Sequence, residues 1–124
     1  MNLQETIYTK LSEDQALTDL LAEKELSIYN FKSPDEGTYP VIVFREVDEV
    51  PHHSDDEEYY SIYRFQVSIL TLDGNFASIE KLIRKDLKEL GFVRTLSTEL
   101  MEGDVHCRIL HFQIATKPSF SDES

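Results

Sequence analysis

Between Tyr59 and Leu72 apolar and polar side chains alternate. Tyr63, Phe65, Val67 and Ile69 share one parity, while Arg64, Gln66 and Ser68 share the other, between Ile62 and Leu70. Period two marks a strand with one face on a core and the other partly wet. Unbroken, these fourteen residues would span about 45 Å at roughly 3.3 Å per residue. A small domain needs less, so one end is expected to project or bend. Asp73-Gly74 ends the pattern, and Asn75 is placed to cap a helix. Ile79, Leu82, Ile83, Leu87 and Leu90 then recur at three- and four-residue steps and define the one strongly amphipathic helix. Glu80, Lys81, Arg84, Lys85, Lys88 and Glu89 lie off that stripe. The cations gather towards the C-terminal half, where they complement the helix dipole, and Gly91 stands where a C′ residue closes the last turn.

Weaker patterns flank this centre. Leu3, Ile7 and Leu11, four apart, predict a short N-terminal helix; Asp14 or Ser12 is placed to cap a continuation through Ala16, Leu17, Leu20 and Leu21, as one bent helix or two pieces. Leu26 to Phe31 reads as a short strand, and Ser33 to Gly37 as a turn. Tyr39-Pro40 leads into Val41 to Phe44, a continuous apolar run expected of a strand covered on both faces or lying across a subunit contact. Phe92 to Leu100 and Val105 to Thr116 read as a hairpin about Met101-Glu102-Gly103-Asp104. Its second arm is apolar on both parities, which predicts an inner strand with both faces covered. Pro118 stops that strand, and residues 118–124 read as a disordered tail. The fold class expected is α+β: one domain over residues 1–117, with a mixed or antiparallel sheet of about five strands packed by the N-terminal helix and the central amphipathic helix.

A chain of 124 residues, 40% hydrophobic, suits one core. No apolar run approaches the ~20 residues that cross a bilayer, and the N-terminus has neither the cationic nor the apolar region of a signal peptide. A protein made and kept in a cytoplasm, with no membrane partner, is expected. The formal charge of −12 argues against binding nucleic acid through its phosphates. Asp48, Glu49, Asp55, Asp56, Glu57 and Glu58 place six acids within eleven residues that hold no Lys or Arg. With His52, His53 and no apolar periodicity, residues 48–58 read as a mobile acidic hairpin arm, the candidate partner-contact segment.

No metal or cofactor is expected there. Adjacent histidines diverge on a regular backbone, no third ligand stands at a characteristic spacing, and the alternate-carboxylate calcium loop is missing. His106 and His111 fall on opposite parities and cannot share a site, and Cys107, the single cysteine, reads as a small core residue. The chain holds no Gly-rich phosphate loop, nucleophile elbow, paired-cysteine knuckle or HExxH motif, so no catalytic role is expected.

The order helix, strand, strand, long strand, helix, strand, strand resembles the phage tail-completion proteins, also called tail terminators or head-to-tail joining proteins. The resemblance is carried by Ala16-Leu17-Thr18-Asp19-Leu20-Leu21, by Tyr39-Pro40-Val41-Ile42-Val43-Phe44, by Tyr63 to Ile69, and by Ile79-Glu80-Lys81-Leu82-Ile83. It implies a structural virion protein, synthesised in a bacterial host, that forms a hexameric ring on the tail tube and meets the tube protein and the head connector. The competing expectation is an acidic inhibitor or nucleic-acid mimic acting on a basic partner.

Overall fold

The alternation after Tyr59 becomes strand β3 (Tyr59–Thr71), which pairs antiparallel with β2 (Val41–His53) from Val41 opposite Leu70 to His53 opposite Tyr59. The structure, a computed structural model, describes residues 2–30, 39–53 and 59–116. The tail over 118–124 and the turn over 33–37 lie outside them. β1 (Ile28–Asn30) runs parallel to β2, while β4 (Val93–Glu102) and β5 (Val105–Thr116) pair antiparallel with each other. The order β1-β2-β3-β5-β4 makes a mixed five-stranded sheet.

One face of that sheet is dry. Phe65, Val67 and Ile69 of β3 are fully buried, as are Ile42 and Phe44 of β2 and Leu110 of β5 opposite them. They share one core with α1 (Leu3–Ser12), α2 (Gln15–Thr18) and α3 (Ala77–Glu89), through Ile7, Leu11, Leu17, Ile83 and Leu87. The sequence expectation for β5 is half right. It is an inner strand whose Leu110 and Phe112 face is closed, while on the other face Cys107 is buried but Ile109 and His111 stay half-buried.

Local chemistry sets the element ends. Asn2 Oδ1 accepts the Glu5 N–H at 2.8 Å and opens α1, and Asp14 Oδ1 accepts the Leu17 N–H at 3.2 Å and opens α2. α3 departs from the expected cap. Asn75 gives its N–H to Asp73 Oδ1 at 2.9 Å in a side-chain turn, so Phe76 becomes the N-cap without a side-chain hydrogen bond and sinks into the core instead. At its other end Gly91, at φ +102°, donates to Lys88 O at 3.0 Å and Phe92 donates to Leu87 O at 2.9 Å. This is a Schellman closure, and the buried Leu87 and Phe92 supply its apolar contact.

Two boundaries also move. Lys24–Ser27 is a 3₁₀ turn with Leu26 exposed, because Ser27 Oγ takes the Glu23 N–H at 2.7 Å; the strand expected from Leu26 therefore starts at Ile28. β4 runs on through Met101 and Glu102, opposite His106 and Val105, leaving Gly103-Asp104 as a two-residue turn.

Ile83, fully buried beneath α3, is predicted to cost about 2–5 kcal/mol on truncation to Ala. Gly91→Ala is predicted to cost roughly 1–2 kcal/mol by forcing a Cβ into a left-handed conformation. Urea unfolding of both variants measures this, and an Ile83→Ala midpoint equal to wild type would show that α3 does not close the core.

Candidate functional site: an acidic hairpin and a basic groove

β2 and β3 extend beyond the rest of the sheet. β4 begins level with Arg64, since Val93 pairs with Gln113 and Gln113 with Arg64, so Tyr59 to Tyr63 lie past its end, about 16 Å of strand. The connection begins later than the sequence reading places it. Asp48 to His53 are ladder residues, not loop. A bulge between Glu46 and Asp48 breaks the period in β2, and its stability comes from partners that period cannot reveal. Asp48 Oδ1 lies 3.3 Å from Arg64 Nε, Val50 faces Ile62, and His52 stacks on Tyr60 with ring centroids 5.2 Å apart. His53 ends the strand, and Asp55, Asp56, Glu57 and Glu58 lie outside the described residues.

The bulge also sorts the charges. Asp48 turns to Arg64 on the open face, while Glu46 and Glu49, opposite Phe65 and Tyr63, share the helix side of the sheet. Burial pushes the Glu46 carboxyl above its ordinary range, and the neighbouring Glu49 and Asp48 push it further. Negative charge is thus crowded along the hairpin.

Positive charge collects elsewhere. Between α3 and the start of β4 runs a groove of about 860 Å³ floored by Phe92 and Phe112. Lys81, Arg84, Lys85, Lys88 and Arg94 line it, five of the chain's 12 Lys and Arg. Lys81 and Lys88 are exposed and, among the described residues, have no ion-pair partner; Arg94 donates to Ser97 Oγ at 2.9 Å. The sequence reading takes the α3 cations as a complement to the helix dipole and misses the groove. Arg94 completes it from another strand, and no local pattern signals that pairing.

Lys85 faces a carboxyl pair beneath it. Its Nζ lies 3.2 Å from Asp86 Oδ1 and 4.0 Å from Asp14 Oδ2, and Glu89, 4.0 Å away, reaches Lys10 of α1 at 2.7 Å. Burial, then a hydrogen bond to Asp14, pushes Asp86 up to about 6. Asp14 is itself penalised by burial, yet hydrogen bonds from Asp86 and the Leu17 N–H hold it below its usual range. When Asp86 is protonated, below about pH 6, the two carboxyls can share that proton and so link α2 to α3.

The sheet histidines and the cysteine carry no joint site. His106 packs edge-on to Phe76 on the helix side, and His111 meets Gln66 Oε1 at 3.3 Å on the other face. Burial and the adjacent Glu102 push the Cys107 thiol up to about 11, so it is no thiolate nucleophile at neutral pH. Among the described residues, no three His, Cys, Asp or Glu side chains converge as a metal site, and no helix is long and apolar enough to cross a membrane.

Asp86 binds its proton more tightly folded than unfolded, so its contribution to stability is greatest below pH 4 and falls as pH rises towards about 6. Asp86→Asn, which keeps a neutral hydrogen-bond donor beside Asp14, is predicted to raise the melting temperature at pH 7.5 and to lose that advantage near pH 4.5. Melting curves across that range test the shared proton, and a gain unchanged by pH would count against it.

Neither a protein-family model nor a curated protein sequence matches the chain. Its fold is similar to that of a chain in a solved structure of the virion of a native gene transfer agent particle, with a TM-score of 0.70 and 15% identity, over 94% of this chain and 95% of that one.

Proposed function

We propose that this chain is a structural virion protein that caps the phage tail tube as a hexameric ring and joins it to the head connector. The observation that carries this reading is the fold likeness to a chain of a gene transfer agent virion, which spans nearly the full length of both chains. The tail-terminator resemblance of Tyr39 to Phe44 and of the long strand with its helix supplies the finer assignment. The acidic hairpin, from Asp48 and Glu49 through His52, His53 and the acids Asp55 to Glu58, serves as the partner-contact arm.

The charge distribution favours this over an acidic inhibitor. A mimic of nucleic acid needs carboxylates spread over a folded face, whereas here six of the acids fall within residues 48–58, and four cations of α3 line a groove with Arg94 of β4.

Native mass measurements and negative-stain images of the purified protein, alone and with isolated tails, test the reading. Rings seated on tube tips are expected. Deletion of His52 to Glu57 is expected to leave the fold intact by circular dichroism and to abolish tip capping. Tails left bare by the intact protein would overturn the assignment.

A further inference from the structure

The two charged surfaces are complementary, yet they cannot meet within one chain. The groove lies at the β4 side of the sheet, and β3 and β5 stand between it and β2, which carries Glu46 and Glu49. Glu49 has no ion-pair partner among the described residues, and Glu46 sits in a field of like charge on the same helix-side face. Lys81 and Lys88 are equally unmatched, and exposed Val93 adds apolar surface beside them. Each surface therefore carries charge that is unpaired among the described residues and opposite in sign to the other's.

We infer that the basic groove between α3 and β4 of one copy receives the acidic β2–β3 hairpin of the next copy, through Glu46 and Glu49 against Lys81, Lys88 and Arg94. This rests on the ring assembly proposed above and names its contact. The partner is a second copy because the hairpin carries carboxylates, Glu46 and Glu49, that are without an ion pair among the described residues and match in sign the unpaired Lys81 and Lys88 of the groove. Nine residues of β2, Arg45 to His53, run beyond its pairing with β1, and all but the bulged Val47 pair with β3. Association through such charges is steered over a Debye length of about 8 Å at physiological salt, and weakens as salt rises.

A charge-exchange experiment by sedimentation velocity decides it. One variant reverses the groove (Lys81→Glu, Lys88→Glu, Arg94→Glu) and the other the hairpin (Glu46→Lys, Glu49→Lys), with Glu46→Gln, Glu49→Gln as a milder form. Unchanged circular dichroism confirms folding. Each reversed protein alone is expected to self-associate at least about tenfold more weakly than wild type, and an equimolar mixture of the two is expected to regain assembly, since each then offers what the other needs. Reversed proteins that associate like wild type, or a mixture that stays dissociated, would overturn the contact, as would a wild type monomeric up to millimolar concentration. If the reversed proteins still ring tail tips, the contact fails while the capping role stands; bare tips with wild type signal failure of that role itself. Retention of duplex DNA by wild type but not by the groove variant, with self-association unchanged, would assign the groove to phosphate and equally overturn the inference.

Discussion

Every other element depends on β3 having one dry face and neighbours on both sides. Phe65, Val67 and Ile69 bury completely because β2 and β5 extend the same face sideways through Phe44 and Leu110, and because α3 returns over it. The return is set by short-range chemistry. Thr71 Oγ1 takes the Gly74 N–H at 2.8 Å, and Gly74 adopts φ +75° where a Cβ would stand 3.0 Å from the His106 ring. The chain thus reverses within a few residues and lays Ile79, Ile83 and Leu87 back onto the strand it has just left. Arg108 of β5 fixes the rotation of the helix, its Nε 2.9 Å from Glu80 Oε1 in a half-buried pair. Such a pair sets orientation more than net stability.

What was legible in the sequence follows from this division. β3, α3 and its Gly91 closure were readable because their signals are local: a period of two, a period of three to four, and one glycine at the last turn. The face of β5 was only partly readable, since parity shows which residues share a side but not whether a helix lies above it. The acidic arm was misjudged for a related reason. Asp48, Val50 and His52 show no pattern of their own, and they become strand only against Arg64, Ile62 and Tyr60, with a bulge that shifts the parity midway. The basic groove was hidden too, since Arg94 joins the α3 cations through strand order alone. The carboxyl pair Asp14–Asp86 was invisible, because nothing in a sequence shows that two acids far apart will be buried together.

A net charge of −12 is costly to any compact chain through self-repulsion. Glu46, Asp48 and Glu49 stand close together on the β2–β3 ladder, and five cations gather beside α3 over Phe92 and Phe112. Tertiary structure does not neutralise the two poles against each other, although the chain has the residues to do so. Lys85 and Arg84 are satisfied at home by Asp86 and Glu80, while Lys81 and Lys88 have no ion-pair partner among the described residues.

That separation has a geometric consequence for assembly. The hairpin belongs to the β2–β3 end of the sheet and the groove to its β4 side, so one copy meeting another through them joins unlike surfaces, a heterologous contact. Each copy so joined still offers one hairpin and one groove, and the pattern ends only if rotation brings the last copy back to the first. Closure satisfies every charged surface at once, whereas an open chain always leaves a bare acidic arm at one end and a bare basic groove at the other. Were copies joined by this contact, electrostatics would favour closure over an open filament, and shape would decide how many copies close.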